Sequence, residues 1–167
     1  MTTTRCAVIV LVLGIVGGLT GCGGGEASSS SGVGESFRSK ALQVCADALA
    51  EKRAEEPFPV PEFNPTKPDP AKLGEVADYL EKTRQTYADW HQAMMELGEP
   101  PTAVDPWDSL LQAIGTHEHL TADQIAAARR GDVDQFAADY DTGAETQEQL
   151  LAAATGAGVS DCAAVDR

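Results

Sequence analysis

The stretch LGEVADYLEKTRQTYADWHQAMMEL, residues 73–97, decides the fold. Leu73, Leu80, Tyr87 and Met94 recur every seven residues, and Val76, Ala77, Trp90 and Leu97 fill the interleaved positions. Apolar side chains at that spacing gather on one side of an α-helix and leave the charged ones on the other. The stripe is a packing seam of the helix-bundle kind. Asp69 can cap this helix, with Pro70 at the first helical position, where the missing N–H of proline costs nothing. Gly98, Pro100 and Pro101 end it.

Three more segments share this periodicity. Residues 36–56 place Phe37, Ala41, Cys45, Ala48 and Lys52 on one stripe, with Leu42 and Leu49 beside it and Ser36 as N-cap. Cys45 therefore points inward. A third segment opens at Asp105-Pro106 and carries Trp107, Leu110, Leu111, Ile114, Ile125 and Ala128 on its apolar face. Thr121-Ala122-Asp123-Gln124 reads as a capping box. The segment is then one kinked helix or two that meet near Leu120, and Gly131 ends it. The fourth starts at Asp132, with Gln135 placed for a box. Val133, Phe136, Ala137, Tyr140, Leu151 and Ala154 would face the core, and Gly156 and Gly158 stop the helix.

No segment shows sustained strand alternation, so the sequence predicts an all-α four-helix bundle. Short connections make helices two to four antiparallel. Residues 57–70 hold six prolines and cannot be helix. As polyproline II, at ~3.1 Å per residue, they reach roughly 43 Å. Such a connector allows either direction for the first helix, and Phe58, Val60 and Phe63 would cover the side or end of the bundle.

Residues 1–35 read differently. Met1–Arg5 is a short segment with one positive charge, and residues 7–19 form an apolar run too short to span a bilayer. Leu19-Thr20-Gly21-Cys22 follows and resembles the lipobox of bacterial lipoproteins. The resemblance implies a signal peptide over residues 1–21 and a diacylglyceryl thioether on Cys22 as the mature N-terminus. It also implies a cell-membrane location facing outside the cytoplasm. Residues 22–35, rich in Gly and Ser, would be a flexible tether, and residues 36–167 the folded domain. Fourteen such residues have a root-mean-square span of roughly 20 Å.

The cysteines sort by position. Cys6 lies in the signal and Cys22 is the lipid site, which leaves Cys45 and Cys162 in an oxidising compartment. A structural disulfide between them would join the first helix to the C-terminal tail. Two free thiols and a reactive redox pair are the alternatives, and the lack of a Cys-x-x-Cys motif argues against the redox pair.

The chain carries 12 Lys and Arg against 26 Asp and Glu; loss of Arg5 with the signal leaves 11 and a net charge of −15. That charge repels nucleic acid and anionic headgroups. It suits a soluble domain held off the membrane, or one that meets a cationic partner. As a whole the chain resembles small actinobacterial lipoproteins with a lipobox, a Gly/Ser tether and a helical bundle. Those proteins carry one cysteine in the first helix and one near the C-terminus. Cys22, Cys45, Gly131-Asp132 and Cys162 carry that likeness, which implies fold and location.

Catalytic motifs are missing from the sequence: no Gly-x-Ser-x-Gly elbow, no free cysteine with histidine, no strand-borne phosphate loop. A non-enzymatic chain without a cofactor is the expectation. His91, His117 and His119 are the metal candidates. His117 and His119 stand two apart and diverge on a helix, whereas His91 shares a face with Met94 and Met95. Two function classes remain. One is a tethered interaction module that docks an envelope protein. The other is a carrier of a small apolar or amphipathic ligand, held between helices at Tyr87, Trp90, Met94 and Trp107 or under the Phe58/Phe63 connector.

Overall fold

The computed structural model describes residues 32–55 and 58–166. Cys6, Cys22, the lipobox and the Gly/Ser tract before Gly32 lie outside the described residues. Four long helices pack together: α1 (Glu35–Glu55), α2 (Leu73–Glu96), α3 (Val104–Arg130) and α4 (Val133–Gly156). A 3-10 turn at Pro70–Lys72 leads into α2, and a 3-10 segment at Ser160–Asp166 follows α4. The described residues contain no strand, and no helix among them is long and apolar enough to cross a membrane.

All adjacent helices run antiparallel, and the side chains that meet show it. Along α1, Cys45 lies against Met94, Lys52 meets Tyr87, and Glu55 meets Thr83 and Thr86 of α2. Between α2 and α3, His91 faces Glu118 and Glu81 faces Arg129. Between α3 and α4, Pro106 sits beside Gly156 and His117 beside Thr146. The C-terminal 3-10 segment packs on both α4 and α1, and the disulfide Cys45–Cys162 holds it to α1 with Cα atoms 5.1 Å apart.

Helix ends follow local chemistry in part. Asp69 accepts from the Ala71 amide and caps the 3-10 turn ahead of α2, as its sequence suggests. Asp132 accepts from the Gln135 amide and caps α4. Gln135, however, does not reach back to complete a box; its amide donates forward to Asp139. Gly131 and Gly158 take positive φ at the ends of α3 and α4. Asp132 N–H reaches Ala127 O and Val159 N–H reaches Ala154 O, the six-residue bond of a Schellman ending.

Other starts and stops differ from the sequence reading. Ser36 lies inside α1, whose first residue is Glu35. The chain before it is already folded: Val33 is fully buried, its N–H bonds Ala157 O, and Thr102 donates to Gly32 O. Gly32 and Val33, assigned to the tether from the sequence, are thus part of the folded body. Val104 begins α3, so Asp105 sits in its first turn; Ala103 precedes it in the left-handed region. The Thr121 box is unused because α3 is continuous there, and the Thr121 hydroxyl donates to the His117 carbonyl one turn back.

On α4 the buried stripe is Phe136, Asp139, Thr146, Leu150 and Ala154. Tyr140 and Leu151, expected inside, are 46% and 39% exposed. The connector is a run of turns instead of an extended polyproline II strand. Phe63 N–H bonds Val60 O, Lys67 N–H bonds Asn64 O, and the Asn64 side chain accepts from Thr66. Those bonds fold it over the end of the bundle, where Val60 is buried with Leu73, Val76, Ile125 and Phe136.

Candidate functional site

Tyr87, Trp90, Met94 and Trp107 belong to the main core and line neither of the two grooves described below. They are 3%, 2%, 0% and 1% exposed. Phe37 meets Trp107 edge to face at 4.8 Å, Met94 Sδ lies 3.9 Å from Cys45 Sγ, and Lys52 Nζ donates to the Tyr87 hydroxyl at 2.8 Å. The space a ligand would need between the helices is filled by these side chains. The four residues that the sequence offered as a candidate ligand pocket are therefore packed side chains of the core.

The cavity lies elsewhere, under the connector. Because α1 ends opposite Thr83 and Thr86, the connector rather than α1 faces the first turns of α2. It covers them incompletely and leaves a groove of about 520 Å³. One wall is Phe58, Phe63 and Pro65 of the connector with Val76 and Leu80 of α2. The opposite wall is α4, through Phe136, Tyr140, Gly143, Ala144 and Gln147. His117 and Gln124 of α3 complete the lining. The volume falls within the roughly 300–1,000 Å³ typical of small-molecule sites.

Aromatic contacts fix the groove's shape. Phe63 stands edge-on to Phe136 with centroids 5.8 Å apart, and Phe58 leans on Phe63 at 5.8 Å and on Tyr79 at 4.9 Å. Polar contacts fix its base. His117 packs edge-on to Tyr87 at 4.8 Å, and its Nδ1 lies 3.4 Å from the Thr146 hydroxyl, which donates to Gly143 O at 2.9 Å. Near the rim, the Arg84 guanidinium donates to Glu81 and, with Arg129 close by, holds that carboxyl below the usual carboxylate range. A second depression between α3 and α4 is lined by small side chains such as Ala113, Ala153 and Gly156, with no aromatic ring.

The three histidines do not converge. His91 Nδ1 lies 3.6 Å from Glu118, His117 faces the groove, and His119 is exposed on α3. Met94, the thioether that would join His91, is committed to the core beside Cys45. No group of three or more His, Cys, Asp or Glu among the described residues could hold a metal ion.

Sequence reasoning named Phe58 and Phe63 as a cover but missed Gly143, Gln124 and Gln147. A glycine in the middle of a helix is the signal that could have found the α4 wall. No protein-family model, curated protein or solved structure matches this chain.

Proposed function

We propose that this chain is a lipid-anchored, extracytoplasmic and non-enzymatic module of the cell envelope, with Cys22 as its membrane attachment and an envelope protein as its partner. One observation carries the reading: a lipobox-like Leu19-Thr20-Gly21-Cys22 stands in the same chain as a buried Cys45–Cys162 disulfide. Disulfides persist outside the cytoplasm, and the compartment they need is the one to which such a signal delivers a protein. A net charge of −14 supports a domain that stands off anionic lipid and does not bind nucleic acid. The well-filled core around Trp90 and Trp107 supports a rigid body more than a deformable one.

Fractionation of cells tests the anchor. The parent chain partitions with membranes, and Cys22→Ala moves it to the soluble fraction. A Cys22→Ala chain that stays with membranes overturns the anchor.

The groove under the connector favours a second reading, a tethered carrier of a small apolar molecule. Native mass spectrometry of protein taken from its own membrane separates the two. A co-purifying polypeptide supports the adaptor, and a bound small mass supports the carrier.

A further inference from the structure

The groove's lining and its surroundings differ sharply in charge. Its twelve lining residues include four aromatic rings and no Asp, Glu, Lys or Arg. The chain as a whole carries a net charge of −14, although Arg84 and Arg129 stand beside Glu81 near the rim. Helix α4, which forms one whole wall, carries Asp134, Asp139, Asp141, Glu145 and Glu148 and no lysine or arginine. A cleft with low-dielectric walls in a negative field concentrates cations and repels anions. Aromatic faces attract a cation that has shed its water, and quaternary ammonium groups shed it most readily.

One feature of α4 supports an occupant. Gly143 weakens the helix relative to alanine, yet packing does not demand it. A Cβ there would sit 3.8 Å from Gln124 and from Leu120, an ordinary contact. What the glycine does is keep the wall open.

We propose that this groove binds an amphipathic organic cation, an ammonium head on an apolar body, held among Phe58, Phe63, Phe136 and Tyr140. The inference rests on the carrier reading above and narrows it to one charge class. The rings supply both the apolar surface and the cation-attracting faces. The net negative charge of the chain supplies the long-range attraction, and Gln124, Gln147 and His117 lie where a polar linker would pass.

The test uses the full mature chain, disulfide intact, in phosphatidylglycerol nanodiscs, which contribute no ammonium group. The chain has four phenylalanines. Three of them line the groove, while Phe37 packs on Trp107 in the other core. Fluorine NMR of 4-fluorophenylalanine-labelled protein therefore reads the groove and carries its own control. The probes are benzyltrimethylammonium, its uncharged carbon isostere neopentylbenzene, and phenylacetate, compared at equal free aqueous concentration.

The expected result is a saturable shift at Phe58, Phe63 and Phe136 with Phe37 unmoved. The cation should bind at least about fivefold tighter than the isostere, and phenylacetate should give no shift. Gly143→Leu should weaken the cation at least about tenfold by filling the wall. If that variant loses its Phe37 resonance and so its fold, Phe58→Ala replaces it; the exposed ring's loss should weaken the cation about threefold or more. An isostere that binds as tightly as the cation overturns the charge assignment and leaves the apolar carrier standing. No saturable shift with either overturns both.

Discussion

Glu55 shows how a single side chain lets two hydroxyls be buried in an apolar seam. It is the last residue of α1, and its two carboxyl oxygens accept from the hydroxyls of Thr83 and Thr86, both buried on α2. Those threonines interrupt an apolar seam, and the glutamate is what makes their burial tolerable. Glu55→Ala should destabilise the protein by about 1–3 kcal/mol, because it removes two charge-assisted bonds and leaves two hydroxyls unmatched. Denaturant unfolding of Glu55→Ala, of Thr83→Val with Thr86→Val, and of all three together checks this. Coupling means that the triple variant costs less than the sum of the others. The aromatic residues teach the same lesson in reverse. Trp90 and Trp107 stand out in the sequence, and density of large rings marks a core more often than a cavity. Their indole N–H groups have no hydrogen-bond partner among the described residues, so they serve by filling volume.

At the scale of elements, what is local in the sequence was legible. The seven-residue recurrence over Leu73 to Met94 is α2, and Asp69 and Asp132 each accept a backbone amide at the helix start they announce. What depends on neighbours was not legible. The Thr121 box lies on a helix that packing keeps continuous, and its hydroxyl bonds back to His117 instead. The buried stripe of α4 escaped a count of apolar residues because it includes Asp139 and Thr146, while Tyr140 and Leu151 face outward. The connector's prolines promised an extended strand, but Asn64 and Val60 accept the bonds that turn it. Its fold over the bundle's end produces the groove, and no local signal specifies that outcome. Asp132→Ala should cost about 1 kcal/mol by removing the α4 cap, read as a lower urea midpoint with an unchanged slope. An unchanged midpoint would show that the Schellman ending at Gly131 holds the α3–α4 corner without it.

For the whole molecule, the disulfide and the seat of Val33 bring the two ends of the folded chain together. Val33 bonds Ala157, and Cys45 is joined to Cys162 across 117 residues of sequence. Cross-linking positions so far apart removes conformational freedom from the unfolded chain, roughly 4–5 kcal/mol in the chain-entropy picture. Cys45→Ser should therefore lower the melting temperature by roughly 10 °C or more, and an unchanged value would remove the staple from the account. On the proposed reading that staple forms where thiols oxidise, which would tie stability to export, and export to the apolar run over residues 7–19 ahead of Cys22. Intact-mass spectrometry of the protein extracted from its own membranes tests this link most directly. The account predicts a chain that begins at Cys22, carries a diacylglyceryl group there, and lacks two hydrogens for the bond between Cys45 and Cys162. A chain that retains residues 1–21, with Cys22 unmodified and both remaining cysteines open to alkylation, would contradict it.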